Sequence, residues 1–206
     1  MQIYKYLTGP LSVNTYLAVD EESNKGFIVD PGGEDKRLFK FVAENDIVIE
    51  YIILTHGHGD HICGIDTYRR EWPRAKTVAH KNEIPLLQDP KRNYSSMTCG
   101  FPLSVTPDIS VDDGDELSIG DQIIKFFATP GHTPGGMSIQ IKGSVFSGDT
   151  LFAGSVGRTD FPGSSFDALK ESIETKLYAM PDDTQVYPGH MGQTTIGYEK
   201  EHNPFV

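Results

Sequence analysis

An almost continuous apolar run at residues 47–54, Ile-Val-Ile-Glu-Tyr-Ile-Ile-Leu, constrains the fold more than any other feature of this sequence. A run of this length that is rich in β-branched residues predicts a strand buried on both faces. Only Thr55 separates it from His56-Gly-His-Gly-Asp-His61, which contains three imidazoles and a carboxylate. Because functional groups are commonly mounted on loops beyond strand ends, this junction predicts a functional site at one edge of a sheet.

The rest of the chain alternates short strand patterns with a few amphipathic segments. Strands are predicted at residues 3–7, 14–19, 26–29, 47–54, 76–79, 116–119, 122–128, 137–141, 144–147 and 185–187. Helices are predicted at residues 34–45, 62–71, from 166 onwards and 195–203, the third with Ser164 and Asp167 as a capping box. Residues 88–107 show no clear period. One domain, residues 1–206, with helices outside two mostly antiparallel sheets, satisfies this order of elements.

The cluster at residues 56–61 has the chemistry of a metal site. Neutral imidazole is the commonest protein ligand for zinc-like metals, and carboxylate is the usual second type. His56 and His58, two residues apart in an extended loop, are expected to point at one ion. Asp60 and His61, at the turn into the next helix, are expected to face a neighbouring ion. A run of surface histidines is the alternative, but this run is internal, follows a buried strand and is interrupted by glycine.

Three further residues follow predicted strands and complete this pattern. His132 lies in a loop rich in proline and glycine, Asp149 follows the strand at 144–147, and His190 follows the strand at 185–187. Taken singly, each is as compatible with a solvated turn or a cap as with a ligand. Together they are candidate ligands, because the first cluster needs partners to complete its coordination.

The order of these motifs resembles the metallo-β-lactamase superfamily. The matching segments are residues 56–61 (His-x-His-x-Asp-His), 130–135 (Pro-Gly-His-Thr-Pro-Gly), 148–152 (Gly-Asp-Thr-Leu-Phe) and 188–190 (Pro-Gly-His). Residues 148–161 and 194–205 are similar to its glyoxalase II-like, or hydroxyacylglutathione hydrolase-like, branch. The resemblance covers essentially the whole chain. It implies an α/β fold of the αββα sandwich type, with two mixed, mostly antiparallel sheets flanked by helices.

The resemblance also implies a binuclear metal centre. It assigns the first ion to His56, His58 and His132, the second to Asp60, His61 and His190, and a bridging position to Asp149. Two divalent ions are expected, zinc first, although histidine and aspartate sites also accept iron and manganese. Two such ions would offset about four of the negative charges in a chain whose formal net charge is −11.

The expected activity is hydrolysis of a small-molecule acyl thioester, of the hydroxyacylglutathione hydrolase type. Two ions roughly 3.5–4 Å apart lower the pKa of a shared water towards ~7, which gives a metal-bridging hydroxide at neutral pH. Asp60 is the expected catalytic proton acceptor. A thiol leaves as thiolate, whereas an amide nitrogen must be protonated, and the sequence offers no clear general acid. Thioesters are therefore favoured over lactams.

Substrate recognition is less constrained by the sequence. Glyoxalase II enzymes typically continue into a helical region that helps bind glutathione, and this chain is expected to be a short form without it. Arg158 and Phe161, in a glycine-rich loop, are candidate substrate-binding residues, and an alternative is that they only order that loop. Met191 stands where the family usually has glycine and is expected to narrow the mouth of the site.

The sequence leaves three alternatives to thioester hydrolysis to consider. A mononuclear-iron persulfide dioxygenase of the same fold shares a Gly-Arg-Thr-Asp-Phe stretch like residues 157–161 and uses two histidines and one aspartate. Nucleic-acid processing is disfavoured because the net charge is −11 and there is no basic arm. A non-catalytic binding module would be expected to have lost ligands, and none is lost.

The two cysteines and the termini bear on location. Cys63 and Cys99 are too few for a disulfide framework, and Cys63 is expected to be a small buried apolar residue rather than a ligand. No stretch approaches the ~20 apolar residues of a membrane span, and the N-terminus has no secretory apolar segment. The expected location is therefore cytoplasmic, without a membrane partner. The sequence leaves the oligomeric state open.

Overall fold

The apolar run at residues 47–54 forms a strand in the interior of a six-stranded sheet, in a computed structural model that describes residues 1–206. In spatial order this first sheet consists of β1 (Gln2–Thr8), β2 (Val13–Asp20), β3 (Lys25–Val29), β4 (Val48–Ile53), β5 (Lys76–His80) and β6 (Ile109–Val111). Strands β1 to β3 pair antiparallel, and β3 to β6 pair parallel. The parallel half requires crossover connections, and all three of them contain helices.

A second six-stranded sheet is formed by the C-terminal half of the chain. The strands of this half are β7 (Glu116–Ile119), β8 (Gln122–Ala128), β9 (Met137–Ile141), β10 (Ser144–Gly148), β11 (Leu151–Phe152), β12 (Ser155–Val156), β13 (Gln185–Pro188) and β14 (Thr194–Thr195). β11 and β12 form a separate hairpin, and the sheet order is β14-β13-β10-β9-β8-β7. Only β10 and β13 pair parallel. Both sheets are therefore mixed, as expected.

Seven short helices connect or cover the strands. They are α1 (Lys36–Glu44), α2 (Gly59–Ile62), α3 (Ile65–Glu71), α4 (Ile84–Leu87), α5 (Ser95–Thr98), α6 (Phe166–Ser172) and α7 (Ile196–His202). A 3₁₀ turn, Lys81–Glu83, precedes α4, and α6 continues as a π-helical turn, Ile173–Leu177. None of these helices combines the length and apolar character that a bilayer crossing requires.

The central apolar core lies between the two sheets. Phe27 and Ile53 of the first sheet pack in one buried cluster with Phe126, Ile139 and Phe146 of the second. Strands alternate their side chains between two faces, so each sheet must bury its other face against something else. That requirement is met by helices.

Two outer clusters complete the layers. On the first sheet, Leu38 of α1 and Tyr68 of α3 pack against Ile52 of β4. On the second, Leu169 of α6 packs with Val145 of β10 in a cluster that also includes residues of the π-helical turn and α7. The order helix, sheet, sheet, helix is the predicted αββα sandwich.

The predicted helix at 62–71 is two helices, and the first begins earlier than expected. α2 starts at Gly59 and already contains Asp60 and His61. The chain breaks before α3 at Gly64, whose amide donates to the carbonyl of Pro31 at 2.8 Å. A Cβ at Gly64 would lie 2.8 Å from that oxygen, so no larger residue fits there without displacement. A close approach to the turn after β3 therefore ends α2, which the periodicity did not reveal.

The cap of α6 differs from the predicted capping box by one residue. Ser165, not Ser164, is the N-cap, and its hydroxyl accepts from the amide of Ala168 at 3.3 Å. The Ser164 hydroxyl instead donates to the carbonyl of His132 at 2.7 Å. Two adjacent serines were equivalent in sequence, and the tertiary contact to the His132 loop assigns each its role.

Cys63 and Cys99 form a disulfide, which corrects the expectation that Cys63 is an unpaired buried residue. Cys63 follows α2 and Cys99 follows α5, so the bond joins two helices from distant parts of the chain. Their close packing explains the pairing, because the amide of Gly59 donates to the carbonyl of Asn93 at 2.6 Å. The aperiodic stretch 88–107 gave no sign of where Cys99 would lie.

Candidate metal centre

The side chains nominated as ligands by the sequence lie together at one edge of the two sheets. They are His56, His58, Asp60, His61, His132, Asp149 and His190. The first four follow β4, and the others follow β8, β10 and β13. The site therefore takes donors from both sheets, and neither half of the chain forms it alone.

Three histidines make up the first donor group. Ligand atoms of His56, His58 and His132 lie within 4.8 Å of one another, and all three residues are buried. His58 Nδ1 is 2.9 Å from His132 Nε2. Burial, assisted by the neighbouring imidazoles, lowers the pKa of His56 well below its ordinary value and that of His58 to about 3. These two rings are therefore neutral near pH 7, the form that binds a metal ion.

The second donor group contains one carboxylate and two imidazoles. Ligand atoms of Asp60, His61 and His190 also lie within 4.8 Å of one another. Asp60 Oδ2 is 3.3 Å from His190 Nε2 and 3.5 Å from His61 Nε2. His190 is the most exposed of the three and borders the open side of the site.

Asp149 lies between the two groups. Its Oδ1 is 3.4 Å from His61 Nε2, and its Oδ2 is 3.6 Å from His132 Nε2 and 3.7 Å from His190 Nε2. Burial raises the pKa of this carboxyl, but His61, His132 and His190 outweigh it, and the net pKa falls below the usual range. The ionised carboxylate thus faces both groups.

Unpaired buried atoms test whether this set fits metal ions. His56 Nε2, His61 Nε2 and Asp149 Oδ1 are buried without a hydrogen-bond partner. Such groups are costly unless something satisfies them, and all three are ligand atoms. Burial lowers the pKa of His61, yet the carboxylates of Asp149, Asp60 and Asp30 raise it well above its ordinary value. The site therefore stabilises added positive charge, and its nitrogen and oxygen donors fit divalent cations.

Asp30 is a functional residue that the sequence reasoning missed. Its Oδ2 lies 2.9 Å from His61 Nδ1, while the amide and hydroxyl of Thr55 donate to the two oxygens at 2.7 and 2.6 Å. Asp30, His56 and His61 also form a compact donor set. Because the Asp30 oxygens are already occupied, this carboxylate orients His61 and leaves Nε2 for the cation. The only sequence signal was its position directly after β3.

Glu83 is a second missed residue. It is 1% exposed, and its two carboxylate oxygens accept from the amides of Gly57 at 2.7 Å and Gly135 at 2.8 Å. One side chain therefore holds the loop of His56 and His58 against the loop of His132. Burial raises the pKa of Glu83 to about 7, although the two amides act in the opposite direction. In the sequence it stands in a polar stretch that resembles a surface turn.

The candidate substrate-binding residues lie beside the first donor group. The backbone carbonyl of Arg158 is 2.7 Å from His132 Nδ1 and orients that ring. The Arg158 guanidinium lies over the Phe161 ring at 4.6 Å and pairs with Asp160 through bonds of 2.9 and 2.8 Å. The Phe161 ring is centred 4.9 Å from that of His58. These contacts place Phe161 at the site.

A cavity of about 690 Å³ opens in front of the donor groups. Donor side chains from both groups line it, and its other walls are largely apolar. They include Leu11 from the β1–β2 turn, Tyr94 and Met97 from the 88–107 stretch, Phe161, and Met191 directly after His190. A cavity of this size accommodates a small molecule.

The two remaining histidines take no part in the centre. His80 is buried, caps the 3₁₀ turn by accepting from the amide of Asn82, and lies 3.6 Å from Asp112. His202 is exposed on α7 and stacks on Tyr198. Neither belongs to a donor group.

Curated relatives span nearly the whole chain. The probable metallo-hydrolase YqgX of Bacillus subtilis (strain 168) is 36% identical and covers 96% of this chain and 94% of its own length. The hydroxyacylglutathione hydrolase GloC of Haemophilus influenzae (strain ATCC 51907 / DSM 11121 / KW20 / Rd) is 35% identical over 94% of this chain and 92% of its own.

Solved structures share the same architecture. BLEG-1, a B3 metallo-beta-lactamase, is 35% identical with a TM-score of 0.91 and covers 99% of both chains. ETHE1 from Myxococcus xanthus is 32% identical with a TM-score of 0.81 over 99% of this chain and 84% of its own. TTHA1623 in a di-iron-bound form is 30% identical with a TM-score of 0.84, and the match covers 98% of this chain and 100% of its own.

The family model supports the same assignment as the fold and the donor groups. It matches residues 8–190, which include every residue of both groups and Asp149. The relatives include metallo-hydrolases, and a glyoxalase II-like relative is among them. The chain belongs to the metallo-beta-lactamase superfamily.

Proposed function

We propose that this protein is a hydrolase that uses two divalent cations, zinc first, to cleave acyl thioesters, in the manner of a hydroxyacylglutathione hydrolase. The observation that carries the proposal is the position of Asp149 between two separate donor groups. A carboxylate that faces both groups suits a pair of ions better than a single one. Membership of a superfamily of metal-dependent hydrolases and similarity to GloC support the reaction class.

The proposed ligand assignment follows the two groups. His56, His58 and His132 would hold one cation and Asp60, His61 and His190 the other, and Asp149 would serve both groups. Bound there, such cations supply Lewis-acid polarisation of a carbonyl and lower the pKa of water towards ~7. Asp30 and the Arg158 carbonyl keep the His61 and His132 rings in the orientation that this assignment needs.

Asp60 is the proposed proton acceptor. Its carboxylate lines the cavity, and its Oδ2 lies beside His190 at the open side of the second group. A carboxylate in that place can take the proton of an attacking water and pass it to solvent. Beyond the proposed ligands, the polar residues that line the cavity are Tyr94, Thr98, Ser155 and Arg158, and none of them is a carboxylic acid or an imidazole that could protonate a leaving nitrogen. A thiol with pKa near ~8.5 leaves without such an acid, so thioesters are the favoured substrates.

The test is hydrolysis of S-lactoylglutathione and a small thioester panel by zinc-loaded protein, with metal content measured on the same samples. We expect thiol release that a chelator abolishes, and two metal ions per chain. Asp149→Asn should lower the metal content, and it should lower activity by more than the ~10–100-fold typical of outer hydrogen-bond partners. Asp160→Asn, a change at an exposed carboxylate paired with Arg158, is the matched control and should keep its metal. Normal turnover by Asp149→Asn, or no thioester cleavage at all, would refute the proposal.

A second candidate is a mononuclear-iron persulfide dioxygenase. The similarity to ETHE1 from Myxococcus xanthus favours it, and a set of two histidines and one aspartate is contained within the donor groups. This function predicts one iron per chain and oxygen uptake with glutathione persulfide. The same metal analysis therefore separates the two candidates.

A further inference from the structure

Met191 has a backbone conformation that favours glycine. Its φ is +69°, in the left-handed region where a Cβ crowds the following carbonyl. The fold imposes this conformation, because the Asn14 side chain donates to the carbonyls of Met191 at 3.0 Å and Pro188 at 2.9 Å. The Tyr16 hydroxyl also donates to Pro188, at 2.7 Å. A large side chain at this strained position therefore points to a contribution from the side chain itself.

The Met191 side chain belongs to an apolar mouth of the cavity. It is 56% exposed, and Leu11 at 53% and Met97 at 82% line the same cavity. The three come from different segments, namely the loop after β13, the β1–β2 turn and α5. Large exposed apolar side chains around one opening are typical of a binding surface. Unbranched methionine adapts to ligands of varied shape.

The charges that line the cavity disfavour an anionic ligand at its mouth. Arg158 is the only lysine or arginine that lines it, and its Nε and Nη2 already donate to Asp160, whose carboxylate offsets the guanidinium charge. The ionised carboxylates of Asp60 and Asp149 lie on the floor. A substrate carboxylate at the mouth would therefore meet one guanidinium already paired with Asp160 and two carboxylates in the same cavity, whereas an aliphatic group would contact Met191 and its neighbours.

We propose that Met191, with Leu11 and Met97, is a specificity-determining residue that binds an uncharged aliphatic part of the substrate. The inference rests on the proposed thioesterase function and narrows it to thioesters that carry an aliphatic chain. Either the acyl side or the thiol side of the thioester can supply that chain. The chemistry at the mouth is the same in both cases, and the experiment separates them.

The test compares two substrate series on zinc-loaded protein. In the acyl series, the thiol is N-acetylcysteamine and the acyl group is acetyl, butyryl or hexanoyl. In the thiol series, the acyl group is always acetyl and the thiol has two to six carbons. We expect kcat/KM to rise about two- to fourfold per methylene in the series whose chain reaches the mouth. S-succinyl-N-acetylcysteamine should react more slowly than the butyryl compound.

Met191→Gly should reduce the rise of kcat/KM per methylene. It should also raise Tm, since glycine adopts the left-handed backbone conformation without strain. Lys142→Gly is the matched control, with φ of +51° in the exposed turn between β9 and β10. That turn lies at the opposite end of the sheet, because His132 precedes β9 and Asp149 follows β10. Lys142→Gly should raise Tm and leave the dependence of kcat/KM on chain length unchanged in both series. Met97→Ser, at a highly exposed side chain, should lower the slope without altering the fold.

Equilibrium binding gives a readout that does not depend on turnover. The probes are the S-methyl and S-hexyl thioethers of N-acetylcysteamine, which cannot be hydrolysed. Preference for S-hexyl should fall in Met191→Gly and persist in Lys142→Gly. Three results would overturn the inference. They are a kcat/KM that does not depend on chain length in the wild type, a chain-length dependence that is unchanged in both Met191→Gly and Met97→Ser, and faster cleavage of the succinyl than of the butyryl compound. If the wild type cleaves no thioester, the proposed function fails, while the thioether preference still decides the role of Met191.

Discussion

We expect Asp30 to affect the candidate metal centre through a neighbouring ring rather than by direct ligation. It holds His61 by Nδ1, and Thr55 holds Asp30 in turn. This chain of contacts fixes which nitrogen of His61 faces the cation. Residues of this kind are invisible to motif reading because their partners are distant in sequence.

Asp30→Asn should weaken zinc binding by about 10–100-fold, since one acceptor oxygen becomes a donor that repels the Thr55 or His61 N–H. Zinc affinity measured by competition with a chromophoric chelator checks this. Asp20→Asn is the control, a buried carboxylate at the far end of β2 that accepts from Ser23. An unchanged zinc affinity in Asp30→Asn would contradict the assigned role.

Adjacent serines before α6 give a second residue-level prediction. Ser165→Ala removes the helix cap and should lower stability by about 1 kcal/mol in urea unfolding, with zinc affinity unchanged. Ser164→Ala removes the bond to the His132 carbonyl and should reduce zinc affinity more than it affects α6. A loss of stability in Ser164→Ala together with a loss of zinc affinity in Ser165→Ala would instead support the capping box predicted from the sequence.

At the scale of elements, the disulfide connects a ligand-bearing helix to a wall of the cavity. α2 carries Asp60 and His61, and α5 follows Tyr94, which lines the cavity at φ +59°. The segment around α5 has little regular structure of its own. Its position therefore depends on packing against α2 and on the covalent link.

Cys63→Ser/Cys99→Ser should lower the free energy of unfolding by about 3–4 kcal/mol, as expected for a cross-link closing a loop with a sequence separation of 36. Dithiothreitol should have the same effect on the wild type and none on the variant. Hydrogen exchange should increase at residues 93–99 first. Exchange unchanged there after reduction would mean that packing alone holds the segment.

At the scale of the whole molecule, the candidate metal centre takes its donors from both sheets. One set of donors follows β4 of the first sheet, and His132, Asp149 and His190 follow strands of the second. Without cations, three ligand atoms stay buried and unpaired and the carboxylates repel one another. Bound cations should therefore stabilise the packing of one sheet on the other.

Chelation should lower Tm, and zinc should raise it in a concentration-dependent way. At a free zinc concentration of 100 times Kd, the expected stabilisation is about 2.7 kcal/mol per site. Calorimetry at several free zinc concentrations checks this, with Asp149→Asn as the variant expected to respond weakly. An identical Tm with and without chelator would show that the sheets pack independently of the centre.

Most elements were predictable because their patterns are local. The ten predicted strands all form, with shifts of at most one residue at their ends, and the αββα layers agree with the resemblance. The helix at 62–71 was placed wrongly at its start, since a contact between Gly64 and Pro31 sets the break. The disulfide was missed for the same kind of reason, because α2 and α5 meet only in the folded chain.

The sequence by itself determined ten of the fourteen strands and the seven candidate ligands, since residue type and short spacing carry that information, and the resemblance implied the layers. Tertiary structure decided what surrounds them: Asp30 behind His61, Glu83 between two ligand loops, and the disulfide beside the cavity. It also placed Met191 in a left-handed conformation at the mouth. Each of these depends on contacts between residues far apart in the chain, which no local pattern specifies.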